Sequence, residues 1–379
     1  MRLVLIGPVY PFRGGIAHYT TMLYRALRKR EHDVLLISFK RQYPRWLFPG
    51  RSDRDPSRKP LRAEGAQYWI DPLNPLTWLA TFGRIRRYRP DAMILPWWTT
   101  FWAPVWFVLG ALNRLLLRRP LLYICHNVLP HEVRWWDPWL ARLVLGWGTH
   151  FVVQSEEEKG RLVRLVPTAA VAIVPHPVYD MFTGERIPKE EARGRLGLPC
   201  DVPALLFFGI VREYKGLKDV LTVLPEVQAQ LGRVILLVAG EFWEDTLCYL
   251  EMIKQLGISD AVVIEDRYIP NEEVPVYFSA ADVLVAPYHR VTGSGVAQMA
   301  RGFALPVITT DVCVGKSKMV IDGETGFVVP SGDLKSLADA IVRFFRRGCR
   351  LRVSNGQPAP GDEQFSWDRL ADLVAGIRQ

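Results

Sequence analysis

The sequence predicts an α/β protein made of two consecutive doubly wound domains with parallel sheets, and three observations predict it. At 379 residues the chain is too long for one ordinary core and suits two domains of roughly 180 residues each. Short apolar runs alternate with amphipathic stretches of helical length, which is the pattern of parallel βαβ units. The same pattern restarts midway, after a stretch at 184–203 rich in charge, Gly and Pro.

The first strand is expected at residues 3–6, an apolar run far too short for a signal peptide. A Gly-containing loop follows, and then a helix pattern over about 17–29. Further strands are expected at 34–39, 92–96, 121–125, 151–153 and 171–174. Residues 40–60, rich in Arg and Pro without periodicity, read as a mobile loop. In the second half, strands are expected at 204–208, 234–239, 261–264, 283–286, 307–309 and 327–329, with a helix over 218–231. The domain boundaries that follow are 1–183, a linker at 184–203, a second domain at 204–360, and a C-terminal helix within 361–379 that packs back on the first domain.

Composition narrows the class. Half of the residues are hydrophobic (49%), which supplies two buried sheets and excludes global disorder. The five cysteines form no C-x-x-C pair, so neither a zinc site nor a disulfide framework is indicated and a reducing compartment is expected. Residues 1–180 hold 26 Lys+Arg against 13 Asp+Glu, and the remainder 22 against 26. A basic first half beside a mildly acidic second half points to an anionic partner for the first domain. The charge is diffuse rather than a patterned stripe, which speaks against nucleic acid. Residues 92–113 carry no charge and include Trp97, Trp98, Trp102 and Trp106. The preferred reading is a surface helix lying among lipid headgroups on Trp and Arg anchors, ahead of a buried helix or a membrane span.

Four loops carry candidate chemistry. Gly14 and Gly15 lie between the first strand and the first helix, where backbone can approach a ligand and a helix start offers unpaired N–H groups. His126 follows the strand 121–125 directly, at the tip where open α/β sheets place ligand groups. In the second domain, Arg212 and Lys215 lie in the equivalent first loop as cations suited to phosphate. The turn Thr292-Gly293-Ser294-Gly295-Val296 comes after the strand 283–286 and opens a helix, so N–H and hydroxyl donors could cradle a phosphate. The triplet Gly315-Lys316-Ser317 is not a P-loop, since Thr310 stands where the first Gly is needed. His and acidic residues are unclustered, so no metal ligation is indicated.

Gly14-Gly15, His126, the loop from Phe208-Gly209 through Arg212 to Lys215-Gly216, Ala280-Ala281-Asp282-Val283 and the run from Asp322-Gly323 to Val329-Pro330 together resemble family 4 of the retaining glycosyltransferases. The resemblance covers nearly the whole chain. It implies the GT-B fold, with two facing Rossmann-like domains, a nucleoside-diphosphate sugar held mainly by the second domain, an acceptor on the first, no cofactor and no metal. It places Gly14 and Gly15 by the donor diphosphate and His126 by the transferred sugar. Arg212 and Lys215 would neutralise the leaving diphosphate, which Thr292, Ser294, Gly295 and Val296 would bind, and the segment at Arg267 and Tyr268 would read the nucleobase.

The chain departs from the family in places. Two glutamates eight residues apart are usual; aligning on Pro306 puts Val291 and Met299 there, and aligning on Gln298 puts Arg290 and Gln298. Ile210 stands where the family arginine follows the glycine, with Arg212 two residues later, and Lys318 takes a downstream glutamate position. The expected activity is transfer of a sugar, with retention, to a saccharide or lipid-linked acceptor, by an enzyme that closes two domains on a hinge and works in the cytoplasm, peripherally at the inner face of the membrane. Two other readings stand beside it: a nucleotide-sugar epimerase or hydrolase of the same fold, which would need acid/base carboxylates, and a non-catalytic partner subunit.

Overall fold

The computed structural model describes residues 1–130, 132–185, 187–290, 294–314, 320–346 and 366–377. The chain divides into two compact units. Unit 1 comprises Met1–Asp55, Pro60–Pro177 and Glu363–Gln379, and unit 2 comprises Pro56–Lys59 and Val178–Asp362.

Unit 1 is a seven-stranded parallel sheet. Its strands are β1 (Arg2–Ile6), β2 (Asp33–Phe39), β3 (Gln67–Ile70), β4 (Ala92–Trp97), β5 (Leu121–Cys125), β6 (His150–Val153) and β7 (Ala170–Ile173), in the order β3-β2-β1-β4-β5-β6-β7. The order reverses between β1 and β4, so the loops leaving those strands open a crevice at the C-terminal edge. Strands buried on both faces read as continuous apolar runs, and every residue of β4 and β5 is buried. One face is covered by α1 (Gly15–Lys29). The opposite face carries α2 (Pro75–Tyr88), α3 (Ala103–Leu112) and α4 (Asp137–Leu145), with α5 (Glu156–Leu165) beside β6. β3 and α2 escape the sequence pattern, because β3 is only four residues long and its Tyr68 is exposed.

The Trp-rich stretch corrects an expectation. Trp97, Trp98, Trp102 and Trp106 are all buried, and Trp102 stacks on Trp106 at 5.5 Å within the core between α3 and the sheet. The helical run Thr100–Leu117 is long and apolar enough to cross a membrane, yet Val105, Trp106, Leu109 and Gly110 pack inward. It is the core helix of unit 1 rather than a surface helix. The run closes in a π turn at Asn113–Leu117.

Unit 2 is a six-stranded parallel sheet of β8 (Ala204–Phe208), β9 (Ile235–Ala239), β10 (Val262–Glu265), β11 (Val283–Ala286), β12 (Val307–Thr310) and β13 (Gly326–Val329). Their order is β10-β9-β8-β11-β12-β13, with the reversal between β8 and β11. Its helices are α6 (Lys189–Arg195), α7 (Leu217–Leu231), α8 (Thr246–Gln255), α9 (Val274–Ala280), α10 (Gly295–Gly302), α11 (Asp311–Val314) and α12 (Leu334–Arg346). Cores on both faces of the sheet bury β8 and β9 completely.

The stretch 184–203, expected as a linker, contains α6. The buried Arg193 guanidinium donates to the carbonyls of Ala280, Pro199, Cys200 and Val202 and pairs with Asp282 at 2.9 Å, so this stretch is packed structure of unit 2. Composition read it as a linker because an arginine that satisfies buried carbonyls looks the same in sequence as a solvated one. The segment Pro56–Lys59 also belongs to unit 2: the Glu272 carboxylate accepts from the Arg58 N–H at 2.9 Å, and Ser57 Oγ accepts from the Asn271 N–H. The last helix, α13 (Trp367–Ala375), packs on α1 within unit 1, where Arg30 pairs with Asp368 and Asp372.

Candidate functional site

In unit 2, the loops leaving β8 and β11 flank the strand-order reversal and are stitched together. The His289 N–H donates to the Tyr214 carbonyl at 2.8 Å, and the His289 ring lies 3.0 Å from Asp219. Gly216 has φ 73°, and a Cβ there would lie 2.2 Å from the Pro287 carbonyl oxygen, so no larger residue fits. The loop after β11 is fixed in turn from β12: Thr309 Oγ1 donates to the Ala286 carbonyl and Thr310 Oγ1 to the Tyr288 carbonyl.

Lys215 closes a short 3-10 turn, Glu213–Lys215, and is half-buried in this corner. A Cβ placed on Gly209 would sit 3.3 Å from Lys215 Nζ and 3.3 Å from Val296 Cγ2, so these three residues converge on one point. Burial, reinforced by the nearby Arg212 charge, lowers the Lys215 ammonium to about 8. Two cations this close repel each other, and an anionic ligand would relieve that repulsion. The Arg212 guanidinium lies 5.7 Å from the Tyr214 ring and 5.7 Å from the Trp243 ring, a seat that orients it.

α10 begins at this corner. Ser294 is its N-cap: Oγ accepts from the Ala297 N–H at 3.1 Å and donates to Tyr288 Oη. The hydroxyl expected to face a phosphate therefore serves the helix cap. The first-turn N–H groups of Gly295 and Val296 have no intrahelical acceptor and carry the positive end of the helix dipole. Thr292 lies outside the described residues. One turn further along, Gln298 is wholly buried (0%), and among the described residues neither its amide N nor its O has a hydrogen-bond partner. A buried primary amide without partners costs free energy unless a ligand supplies them.

The loop after β10 holds Asp266, Arg267 and Tyr268. The Asp266 carboxylate accepts from the Phe242 N–H at 3.0 Å. The Arg267 guanidinium is already engaged, at 3.0 Å from Glu265 and 2.5 Å from Glu273. Recognition at this loop would fall to backbone, not to the Arg267 side chain.

In unit 1, Gly14 is the N-cap of α1 with φ 102°, and space above its Cα is open to 4 Å. Gly15 is the first helical residue. His126 leaves β5, its N–H donating to the Trp97 carbonyl at 2.8 Å and its ring nitrogen 3.5 Å from the Gln154 amide. The buried Tyr19 ring meets His126 edge-on at 4.7 Å, His176 at 5.3 Å and Trp367 of α13 at 5.0 Å. Burial, with a smaller push from His176, brings His126 down to about 3, and burial brings His176 down to about 4. Both imidazoles are therefore neutral at physiological pH. His176 follows β7 as His126 follows β5, so the strand-tip rule applied to one could have found the other. Tyr19 and Trp367 carry no such signal, because only folding brings α1 and α13 beside β5. Among the described residues, no cluster of three His, Cys, Asp or Glu could hold a metal ion.

The comparisons agree with this architecture. Residues 14–177 match the family model described as "Glycosyl transferase 4-like domain", and residues 202–347 match "Glycosyl transferases group 1". Together the two matches span most of the chain, which belongs to the group 1 glycosyltransferases with the GT-B fold. A D-inositol 3-phosphate glycosyltransferase of Corynebacterium diphtheriae is 32% identical over 235 residues, 60% of this chain and 55% of that protein, so the match spans about half of that relative. A GDP-mannose-dependent alpha-(1-6)-phosphatidylinositol monomannoside mannosyltransferase of Mycolicibacterium smegmatis is 27% identical over 97% of both chains. Anabaena HepE, solved in complex with UDP-glucose, shares the fold at a TM-score of 0.73 and 15% identity, covering 100% of each chain.

Proposed function

We propose that this protein transfers a glycosyl group from a nucleoside-diphosphate sugar to a hydroxyl of a saccharide or lipid-linked acceptor, with retained anomeric configuration. The observation that carries the reading is the convergence of half-buried Lys215 with Gly209 and Val296 at the start of α10. Unit 2 binds the donor. The Gly295 and Val296 N–H groups, Lys215 and Arg212 hold the diphosphate, and they stabilise the charge that develops as the bond from the anomeric carbon to the phosphate oxygen breaks. Gln298 supplies the amide for a ribose hydroxyl where the family carries a carboxylate, and the Arg267–Tyr268 backbone reads the base. Gly14 and Gly15 admit the diphosphate closely, and neutral His126 offers a hydrogen bond to the sugar.

The new bond forms between the acceptor oxygen and the anomeric carbon, and the acceptor's proton passes to the departing diphosphate. With two cations at the phosphate corner, the proposed reaction needs neither metal nor cofactor, so a chelator should leave the rate unchanged. The HepE complex supports a nucleotide-sugar donor, and the name of the Mycolicibacterium relative supports a lipid-borne acceptor. The proposed place of action is the cytoplasmic face of a membrane. Calorimetry with UDP and with GDP tests the assignment: one of them binds the wild type, and Lys215→Ala abolishes that binding. Failure of both nucleotides to bind would overturn it.

A further inference from the structure

Part of the charge of unit 1 lies away from the β1–α1 loop, which itself carries Arg13. From Pro72 to Trp147 the chain holds nine arginines and three acids, Asp91, Glu132 and Asp137. Asp137 is buried, accepting from Thr100 Oγ1 and the Arg134 N–H, and the Asp91 carboxylate accepts from the Arg2 N–H. The arginines ride on the outside of the layer formed by α2, α3 and α4.

That outside is also apolar. On α4, Trp139, Arg142, Leu143 and Gly146 recur at i, i+3, i+4 and i+7, which makes one helix face, and all four are exposed. Ala141, Val144 and Leu145 fill the opposite face and are fully buried. Trp139, Arg142, Leu143 and Gly146 line an open concavity of about 500 Å³ that ends at Trp147. Trp147 also lines a second concavity, about 560 Å³, shared with Arg114, Leu115, Arg118 and Arg119 of the π turn and its exit. The face is therefore continuous from α4 to the end of α3. Trp135 (86% exposed), Trp139 (64%), Leu115 (65%) and Leu116 (55%) stand out into solvent along it.

We propose that this face, from Trp135 along α4 to Arg118, is the surface by which the protein lies on an anionic lipid bilayer. Tryptophan and leucine enter the interfacial layer while arginine heads meet lipid phosphates, the division of labour of an interfacial helix. A second copy of the chain is a poorer occupant, because an isologous contact would set arginine against arginine. Nucleic acid is poorer too: exposed Leu115, Leu116 and Leu143 would lie unmatched against a hydrated phosphate backbone, whereas a bilayer buries them. The inference sharpens the membrane-side reading above, but it rests on unit 1 alone and survives if unit 2 binds no nucleotide.

Co-sedimentation of the full chain with phosphatidylglycerol vesicles and with phosphatidylcholine vesicles tests it. Binding to the anionic vesicles, weakened by salt, is expected. Replacing Arg114, Arg118 and Arg142 together with Gln should weaken it roughly a hundredfold, and Trp135→Ser with Trp139→Ser roughly tenfold or more. The thermal unfolding midpoint should stay at the wild-type value in both variants, which shows that they fold. Vesicle binding untouched by either variant would overturn the proposal, as would no binding to any vesicle at low salt. It would also fall if the Trp variant converted a dimeric wild type to a monomer, or if the Arg variant lost RNA binding while vesicles were ignored.

Discussion

In unit 2 the loops after β8 and β11 gather Arg212, Lys215 and the start of α10, whereas in unit 1 the loops after β5 and β7 bring His126 and His176 against Tyr19. Both sets lie at the C-terminal edges of parallel sheets, where open α/β folds expose loop backbone. Their electrostatics differ, and neither follows the net charge of its own half. The second half of the chain is net acidic yet holds the two neighbouring cations. The first half is strongly basic, yet holds neutral histidines at its strand tips and carries nine of its arginines between Pro72 and Trp147. Net charge thus reports what a domain's outer surface meets, and the ligand chemistry is set by a few residues at the sheet edge.

The contrast predicts that removing one cation from unit 2 does more harm than any single change in unit 1. Lys215→Ala should lower the rate of sugar transfer on the order of 10²–10³-fold, the scale of a lost charge-stabilising donor. Transfer assayed with radiolabelled nucleotide sugar would show it, and a rate near wild type would remove unit 2 from the chemistry. The same lysine gives the alkaline limit. With its ammonium near 8 in the free protein, a bound diphosphate should raise that value, so the protein takes up a proton on binding above about pH 8. Calorimetry in buffers of different ionisation enthalpy reads that proton directly.

Gly216→Ala comes next. A Cβ would meet the Pro287 carbonyl oxygen at 2.2 Å in a backbone with φ 73°, and relieving that contact separates the loops that place Lys215 against α10. A loss of about 2–3 kcal/mol is expected, typical of strain at a left-handed position. Thermal unfolding checks it; an unchanged midpoint would mean that the two loops are not fixed to each other.

Gln298 sharpens the comparison on the unit 2 side. Its buried amide has no partner among the described residues, so Gln298→Leu should cost the bound nucleotide roughly tenfold in affinity, one hydrogen bond's worth, while stabilising the empty protein. Titration of the variant with UDP and GDP tests both halves of that statement. Equal affinity for variant and wild type would assign the amide to packing alone.

The strands of both sheets were legible to within a residue or two, because central parallel strands read as unbroken apolar runs. The edge strand β3, half exposed, did not show. At the site, glycines and cations were legible where a strand hands over to a helix. Their partners were not. Ser294 has the composition of a phosphate cradle, but its hydroxyl caps α10, and Arg267 sits in the expected loop with its guanidinium consumed by Glu265 and Glu273. Sequence names the residue type at a sheet edge; only packing decides whether its polar atoms are still available. The tryptophans of residues 97–106 teach the same lesson from the apolar side, since aromatic rings suit a lipid interface and a core alike.

The smallest expected effect is on the acid side of unit 1, where the rate should not change at all. Burial holds His126 near 3 and His176 near 4, so neither gains a proton between about pH 7.5 and pH 5.5, although a free imidazole titrates at about 6.5. The transfer rate per folded molecule should be flat across that window. Stability should not be flat. Because the folded values lie below the unfolded one, the unfolded chain binds protons that the folded chain refuses, so the stabilisation is whole above about 6.5 and drains as pH falls toward 4. The unfolding midpoint should therefore drop while the rate holds. A rate that instead declines on a titration near 6.5 would mean that His126 meets water at the crevice, and the neutral half of the comparison would fail.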